Sequence, residues 1–188
     1  MIQESKESGI IENCKSGKIR HQEIFYKHFY GFALGICLRY AYTRTDASEM
    51  LNDSFLKVFQ SIGKFDPTYP FKAWFKKIIV NTAIDYYRKN ARLQPTLEIE
   101  EAKNESFDIN LIDALTYNDL KKLLDDLPEV QRLIFNLYEI EGYTHEEIAE
   151  KLNMTESTSR SYLTRAKKKL RILVEKYFET GYERKIRT

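Results

Sequence analysis

The chain has 188 residues, with 30 basic and 28 acidic side chains, and 43% of its residues are hydrophobic. This length allows one domain or two small ones, and the composition excludes a disordered or low-complexity chain. The longest apolar runs, such as residues 31–38, are too short to span a bilayer, and the sequence does not open on an export signal. We therefore expect a cytoplasmic protein without direct membrane insertion.

Three long helices are predicted in the first half of the chain. Apolar residues recur at helical spacing over about 18–42. The next helix is expected to begin with a cap at Thr45 or Asp46 and to end at Gly63, where a C-terminal glycine is favoured. After a rigid loop that contains two prolines, a third helix runs from Phe71 into a basic end.

The sequence pattern of the second half of the chain predicts four helices. A short helix around 117–126 precedes one that begins at Pro128 and closes at Gly142, since proline favours the first helical position. Thr144 and the glutamate three residues later have the spacing of a capping box, and Thr155 is expected to cap the last helix. The predicted core positions of the second of these helices are Val130, Leu133, Ile134, Leu137 and Ile140.

Between the two halves, residues 93–116 lack a sustained period and are rich in acids, which predicts a flexible acidic linker. No strand pattern competes with the helices, and seven glycines and four prolines are few for a protein with many tight turns. The predicted fold class is therefore all-α, with two small helical domains at 8–92 and 117–175 and a basic C-terminal tail at 176–188.

Charge is segregated along the chain. Residues 71–92 hold six basic side chains and one acidic one, whereas residues 94–129 hold three basic and ten acidic ones. Residues 157–171 hold six basic side chains and no acid. Two basic segments on either side of an acidic one indicate two contacts with a polyanion. Because solvated helix faces carry similar charge, charge alone leaves both interpretations open.

Residues 144–166 have the pattern of a helix-turn-helix, with a three-residue turn and a basic second helix. An α-helix fits the major groove of DNA, where its outward side chains reach base edges and flanking cations hold phosphates. The alternative is an ordinary helical hairpin, but the capped turn and the acid-free basic face favour DNA binding. The side chains expected to face outward are Ser157, Thr158, Arg160, Ser161, Thr164, Arg165, Lys167 and Lys168.

Sequence motifs in the two halves occur in a specific order. The first half contains DASEMLND at 46–53, FLKVF at 55–59, KFDP at 64–67 and FKAW at 71–74, followed by Asn81, Asp85 and Arg88. The second half contains LPE at 127–129, GYT at 142–144, EIA at 147–149, RS at 160–161 and RA at 165–166. Together these motifs closely resemble the two conserved domains of the extracytoplasmic-function (ECF) subfamily of the sigma-70 family, the sigma factors of bacterial RNA polymerase. The resemblance covers most of the chain and implies a factor for promoter-specific transcription initiation.

Three positions depart from the family pattern. Asn153 replaces a turn glycine that is common in the family, and asparagine also tolerates a left-handed backbone. Ser159 replaces a commonly aliphatic residue at the start of the recognition helix, so we expect looser packing of that helix. Phe59 replaces a common tryptophan at the end of the second helix of the first domain.

The resemblance implies core RNA polymerase as one partner. In the family, the polar face of one helix of the first domain binds the clamp helices of the largest polymerase subunit, and the matching residues here are Glu49, Asn52 and Asp53. Without the resemblance, three polar residues at this spacing indicate no more than a solvated face. An anti-sigma factor is a second candidate partner, because such partners are common in the family.

The resemblance also implies promoter DNA as a partner, at two elements. For the minus-ten element, which the family reads and melts, the matching residues are Tyr69, Lys72, Lys76, Lys77, Asn81 and Arg88. For the minus-thirty-five element, the matching residues are Thr158, Arg160, Ser161, Thr164, Arg165 and Lys168. An opened strand needs cations and a stacking surface for an extruded base. Tyr69 is expected to supply that surface, whereas Trp74 is expected to pack in the core.

No catalytic or metal site is predicted. His21, His28 and His145 are scattered without carboxylate or thiol partners at ligand spacing, and the chain has no P-loop or nucleophile elbow. Cys14 and Cys37 can form neither a disulfide scaffold nor a zinc knuckle. We therefore expect no enzyme activity and no cofactor. Two alternatives remain open: a stand-alone helix-turn-helix regulator and a helical adaptor that binds only protein.

Overall fold

The computed structural model describes the backbone of residues 2–91 and 122–186, and the side chains of residues 6–90 and 122–178. Within these ranges all regular structure is helical, and the chain divides into two compact units, Met1–Leu93 and Gln94–Thr188. The predicted all-α class with two helical domains is therefore confirmed. The predicted linker at 93–116 lies outside the described residues. None of the described helices combines the length and the apolar character needed to cross a membrane.

The first unit is built from four helices and one short turn. Its elements are α1 (Ile2–Cys14), α2 (Ile19–Tyr40), α3 (Arg44–Ser61), a 3-10 turn (Ile62–Lys64) and α4 (Phe71–Ala91). Helices α2, α3 and α4 contact one another in pairs, and α1 packs on α2. The sequence pattern predicts α2, α3 and α4 but not α1, in which the apolar side chains are few and, among its described residues, confined to Ile10, Ile11 and Cys14.

Aromatic side chains fill the core of the first unit. Phe25, Phe29, Phe55 and Phe75 are each no more than 2% exposed. The ring centroids of Phe25 and Phe29 lie 4.7 Å apart, and those of Phe55 and Phe75 lie 5.3 Å apart. Burial of each ring contributes roughly 1.5–3 kcal/mol, so these contacts dominate the packing of α2, α3 and α4.

Helix α3 begins earlier than expected. Thr43 is its N-cap: the Thr43 hydroxyl accepts from the Asp46 N–H at 3.1 Å, and the Asp46 carboxylate accepts from the Thr43 N–H at 2.9 Å. The prediction of Thr45 or Asp46 as the cap is therefore wrong, because Asp46 is the reciprocal partner three residues into the capping box. Gly63 lies within the 3-10 turn rather than in a left-handed cap.

The second unit is built around one long helix. Over the described residues 122–186, helical residues 122–125 are followed by α5 (Glu129–Phe135), a π-helical turn (Asn136–Ile140), α6 (His145–Leu152) and α7 (Glu156–Ile186). Helices α5 and α6 pack on α7. The core residues that are no more than 1% exposed include Leu127, Ile134, Leu137, Ile148 and Leu170.

The π-helical turn changes which residues face the core. The Glu141 N–H donates to the Asn136 carbonyl at 3.0 Å, five residues back, so the turn holds one residue more than an α-helical turn. The prediction that Ile140 lies in the core is therefore wrong: the wider turn shifts the face, and Ile140 is 37% exposed.

The helix-turn-helix forms from the predicted local signals. The Thr144 hydroxyl accepts from the Glu147 N–H at 3.2 Å, and the Glu147 carboxylate accepts from the Thr144 N–H at 2.8 Å, which confirms the capping box. Asn153 has a φ of 54°, the left-handed conformation that the turn requires. The Thr155 hydroxyl accepts from the Thr158 N–H at 3.1 Å and caps α7. These three features fix where α6 begins, where it ends and where α7 begins.

Candidate nucleic-acid and polymerase interfaces

The residues predicted to contact the upstream promoter element lie on the outer face of α7. They are spaced so that they share one side of the helix, opposite the buried residues Ser159, Leu163 and Ala166. Arg160 and Lys168 are exposed, whereas the other four are half-buried: Thr158, Ser161, Thr164 and Arg165.

Two arginines on this face are held by neighbouring side chains of α7. The Arg160 guanidinium lies 2.8 Å from the Glu156 carboxylate, one turn earlier, and both side chains are about half exposed. The Arg165 guanidinium lies 6.0 Å from the centroid of the Tyr162 ring. A guanidinium that is orientated in this way remains able to donate a pair of parallel hydrogen bonds.

The hydroxyl groups on the same face are engaged within the chain. The Thr158 hydroxyl lies 2.8 Å from the Thr155 hydroxyl, and the Thr164 hydroxyl donates to the Arg160 carbonyl at 2.9 Å. The Ser161 hydroxyl oxygen is buried and has no hydrogen-bond partner within the part of the chain that the structure describes. The expectation that this hydroxyl faces outward is therefore not met, although the residue lies on the outer face.

Lys167 contacts the neighbouring π-helical turn. Its ammonium lies 2.7 Å from the Glu139 carboxylate, and both side chains are 28% exposed. The sequence predicts that Lys167 faces outward, but its ammonium forms an ion pair that ties α7 to the π-helical turn after α5.

Ser159 is the buried residue at the crossing of α6 and α7. It is fully buried, and its hydroxyl oxygen lies 2.9 Å from Nδ1 of His145, which is 9% exposed. The His145 ring also stacks on Tyr138, with centroids 4.4 Å apart. Burial lowers the pKa of His145 below its usual 6.5, and the positive charge of Arg160 acts in the same direction. The expectation of loose packing at Ser159 is therefore wrong, because a partner from α6 compensates for the lost aliphatic side chain.

The residues predicted for the minus-ten element fall into two groups on the first unit. Lys77, Asn81 and Arg88 follow the solvent face of α4, because spacings of four and seven residues return to one side of a helix. Lys72 and Lys76 lie nearer the start of α4, about a quarter of a turn or more around the helix from that stripe. The structure therefore does not bring all the predicted cations onto one face.

Tyr69 is 68% exposed and lines a cleft of about 440 Å³. The same cleft is lined by Ile11 of α1 and by Phe65 and Phe71 around the loop. Trp74 packs against the inner side of this region, with its ring centroid 5.2 Å from that of Phe65. Tyr69 is therefore accessible, whereas Trp74 is half-buried and lies at the edge of the core rather than within it.

Glu7 of α1 contacts the edge of this cleft and has no signal in the sequence. Its carboxylate lies 2.9 Å from the Lys72 ammonium and 3.4 Å from Nε2 of His28. The hydrogen bond from Lys72 holds the pKa of Glu7 below its usual range. Lys72, a predicted DNA contact, is therefore paired with an acid that lies 65 positions away in the sequence.

The residues predicted to contact polymerase are brought together on α3. Glu49, Asn52 and Asp53 are all exposed, on the side opposite the buried Met50 and Val58. Leu56 lies at the next helical position of the same side and is 57% exposed. An exposed leucine beside two carboxylates is a feature of this face that the sequence prediction does not include.

Two contacts hold the ends of α3 on α4. The Lys57 ammonium lies 2.8 Å from the Asp85 carboxylate, and the Tyr86 hydroxyl donates to the Asp46 carboxylate at 2.7 Å. The backbone of α3 is therefore held against α4 by polar contacts as well as by apolar packing.

The described residues hold no group of three or more histidine, cysteine or acidic side chains that could bind a metal ion. Burial raises the pKa of Cys14 to about 11 and that of Cys37 to about 12, which leaves both thiols protonated and unreactive at neutral pH.

Comparisons with known proteins match both units. The family model for Sigma-70 region 2 matches residues 25–93, and the model for Sigma-70, region 4 matches residues 117–170. An ECF RNA polymerase sigma-E factor from Haemophilus influenzae is 27% identical over 179 residues, covering 89% of this chain and 94% of that protein. RNA polymerase sigma factor SigV from Bacillus subtilis is 29% identical over 156 residues, covering 83% and 87%.

A solved structure is also similar. The co-crystal structure of the sigma factor RpoE in complex with the anti-sigma factor NepR from Bartonella quintana is 21% identical, with a TM-score of 0.47 over 81% of this chain and 98% of that one. The two family models and the sequence relatives agree with the order of motifs in this chain. The chain belongs to the ECF subfamily of the sigma-70 family.

Proposed function

We propose that this ECF sigma factor binds core RNA polymerase and directs it to specific promoters through three separate surfaces. The observation that carries the proposal is the presence, in one chain, of a capped helix-turn-helix with a basic outer face and a second helical unit with exposed acids and cations. As a sigma factor the protein acts in transcription initiation, and we assign no catalytic activity and no cofactor to it. We propose the cytoplasm, where the polymerase works, as its location.

The outer face of α7 would read the minus-thirty-five element. Arg160 and Arg165 have the geometry to donate two parallel hydrogen bonds to guanine O6 and N7 in the major groove. Lys168 is exposed beyond them and is suited to a phosphate. Thr158, Ser161 and Thr164 complete the proposed contact surface; the two threonines would bring their methyl groups near the bases, and Ser161, whose hydroxyl oxygen is buried, would leave room for the DNA to approach.

The first unit would bind the minus-ten element. Lys77, Asn81 and Arg88 form a stripe that is suited to the DNA backbone, whereas Lys72 and Lys76 lie in the first two turns of α4, directly after the loop that carries Tyr69. An exposed tyrosine beside cations is a stacking surface for an unpaired base. In this arrangement Lys72 would have to exchange its ion pair with Glu7 for a phosphate when the strand is bound.

The exposed face of α3 would bind the clamp helices of the largest polymerase subunit. Glu49 and Asp53 supply charge for basic groups on the partner, and Asn52 supplies hydrogen bonds. Residues 8–92 and 117–175 are the proposed domains, with 93–116 as the linker and 176–188 as a basic tail. An anti-sigma factor is a further proposed partner, because such partners are common for ECF sigma factors.

A binding experiment tests this proposal against its two alternatives. The protein alone is expected to bind promoter DNA weakly, because two DNA-binding surfaces on separate units gain from each other only when their spacing is fixed. Addition of core polymerase is expected to produce a stable, promoter-specific complex. Tight specific binding without polymerase would indicate a stand-alone regulator, and polymerase binding without promoter selection would indicate an adaptor.

A further inference from the structure

The two helices of the helix-turn-helix are joined by a buried polar contact. Ser159 of α7 is fully buried, and its hydroxyl oxygen lies 2.9 Å from Nδ1 of His145 of α6. A buried polar group needs a hydrogen-bond partner, and its loss leaves the other group unsatisfied. The two residues are therefore a matched polar pair in a unit whose buried side chains are mostly apolar.

We propose that the hydrogen bond between His145 and Ser159 fixes the rotation of α7 about its own axis, and that both are positioning residues for the reading of the upstream promoter element. This inference rests on the proposed function, in which α7 enters the major groove. It adds two buried residues, neither of which is among the proposed DNA contacts, to those that determine base preference.

The physical basis is the directionality of the contact. Apolar burial is non-directional, whereas a hydrogen bond restricts both distance and angle. A helix with its side chains is about 10–12 Å across, so a rotation of about 20° moves the ends of its side chains by about 2 Å. Arg160 directly follows Ser159, and a shift of that size would break a bidentate contact with a base.

The His145 ring is itself fixed by groups outside α7. Its ring stacks on Tyr138 of the π-helical turn, with centroids 4.4 Å apart and an angle of 23° between the planes. His145 is also the first residue of α6, directly after the Thr144 cap. The ring therefore provides a fixed reference against which α7 is aligned.

Three variants separate the hydrogen bond from packing. Ser159→Ala removes the hydroxyl, His145→Phe removes Nδ1 but keeps a ring on Tyr138, and His145→Asn keeps a polar atom near the position of Nδ1 without the ring. Ile134→Val is the matched control. Ile134 is fully buried in the same unit, and its side chain has no hydrogen-bonding group, so the change reduces packing without removing a hydrogen bond. Each variant is assembled with core polymerase and assayed on promoters randomised at the upstream element.

Ser159→Ala and His145→Phe are expected to reduce the preference between bases at the most selective upstream positions by about fivefold or more, the lower end of what a bidentate arginine contact contributes. The double variant is expected to lose no more than either single variant, since the two changes remove one bond. His145→Asn is expected to retain most of the preference, and Ile134→Val to lower the melting temperature with the base profile unchanged.

Two results would overturn the inference in distinguishable ways. If Ser159→Ala and His145→Phe lower the melting temperature but keep the wild-type base profile, the pair is only structural and the proposed function stands. If the wild-type holoenzyme has no upstream base preference, the proposed role of α7 fails and the inference fails with it. Should His145→Phe lose its helical circular-dichroism signal, Ser159→Ala alone decides, because it deletes a single buried oxygen.

Discussion

Replacement of Arg160 by alanine is expected to relax base preference at the upstream element without unfolding the second unit. In the free protein, Arg160 contacts Glu156 one turn away, and both side chains are about half exposed. Such a pair stabilises a helix by about 0.3–0.5 kcal/mol. A bidentate contact with guanine discriminates against other bases by about 1–3 kcal/mol, or roughly 5- to 150-fold. The effect on promoter choice should therefore exceed the effect on stability.

The assay is initiation by the holoenzyme on promoters that differ at single upstream bases, at several salt concentrations. Arg165→Ala is expected to behave like Arg160→Ala, at a different base. Lys168→Ala is the matched control, because it removes an exposed cation from the same face. It is expected to weaken initiation on all promoters alike and to reduce the salt dependence by roughly one unit of slope.

A uniform loss on every promoter in both arginine variants would refute this reasoning. It would mean that Arg160 and Arg165 bind phosphates and that other side chains of α7 read the bases. A fall in melting temperature large enough to unfold the unit would also contradict the estimate drawn from the exposed Arg160–Glu156 pair.

Three further outcomes follow from the structure. Asp53→Lys, with Glu49→Lys as a second variant, should weaken binding to core polymerase in a pull-down while unfolding free energy stays within about 0.5 kcal/mol of wild type, since both residues are exposed; unchanged binding in both variants would mean that the face is only solvated. Thr144→Ala should cost about 0.5–2 kcal/mol in urea denaturation, because it removes the α6 cap; no loss would contradict the capping role. Because burial lowers the pKa of folded His145 below 6.5, the unfolded chain takes up this proton first as pH falls below that value, so stability should decline from about pH 6.5 downward. A His145→Asn variant should lack this part of the decline, and an identical pH dependence in both proteins would contradict it.

Local signals in the sequence predict most of the helical framework. The capping box at Thr144 and the left-handed Asn153 depend on residues within a few positions, so short-range patterns are sufficient. The buried stripes of α2, α3 and α4 follow from helical periodicity, because the apolar face of a helix must be covered. The exposed polar face of α3 follows from the same periodicity, but its assignment to polymerase comes from the family resemblance.

Contacts between distant residues are what the sequence does not predict. The ion pair of Glu7 with Lys72 joins α1, which has few apolar side chains, to a cation that the sequence assigns to DNA. The hydrogen-bond partner of Ser159 is His145, which lies 14 positions earlier on another helix. The sequence therefore shows that a serine stands where an aliphatic residue is common, but not that a histidine packs against it. The register shift at Ile140 arises from a π-helical turn, a backbone feature without a residue signature in this segment.

The most direct test of the central claim is to map transcription start sites in a reaction that contains core polymerase, this protein and a library of genomic DNA fragments. We expect a limited set of start sites that share one upstream and one downstream element, and loss of that set when Asp53→Lys replaces the wild-type protein. Start sites that are the same with and without the protein would contradict a role in promoter selection.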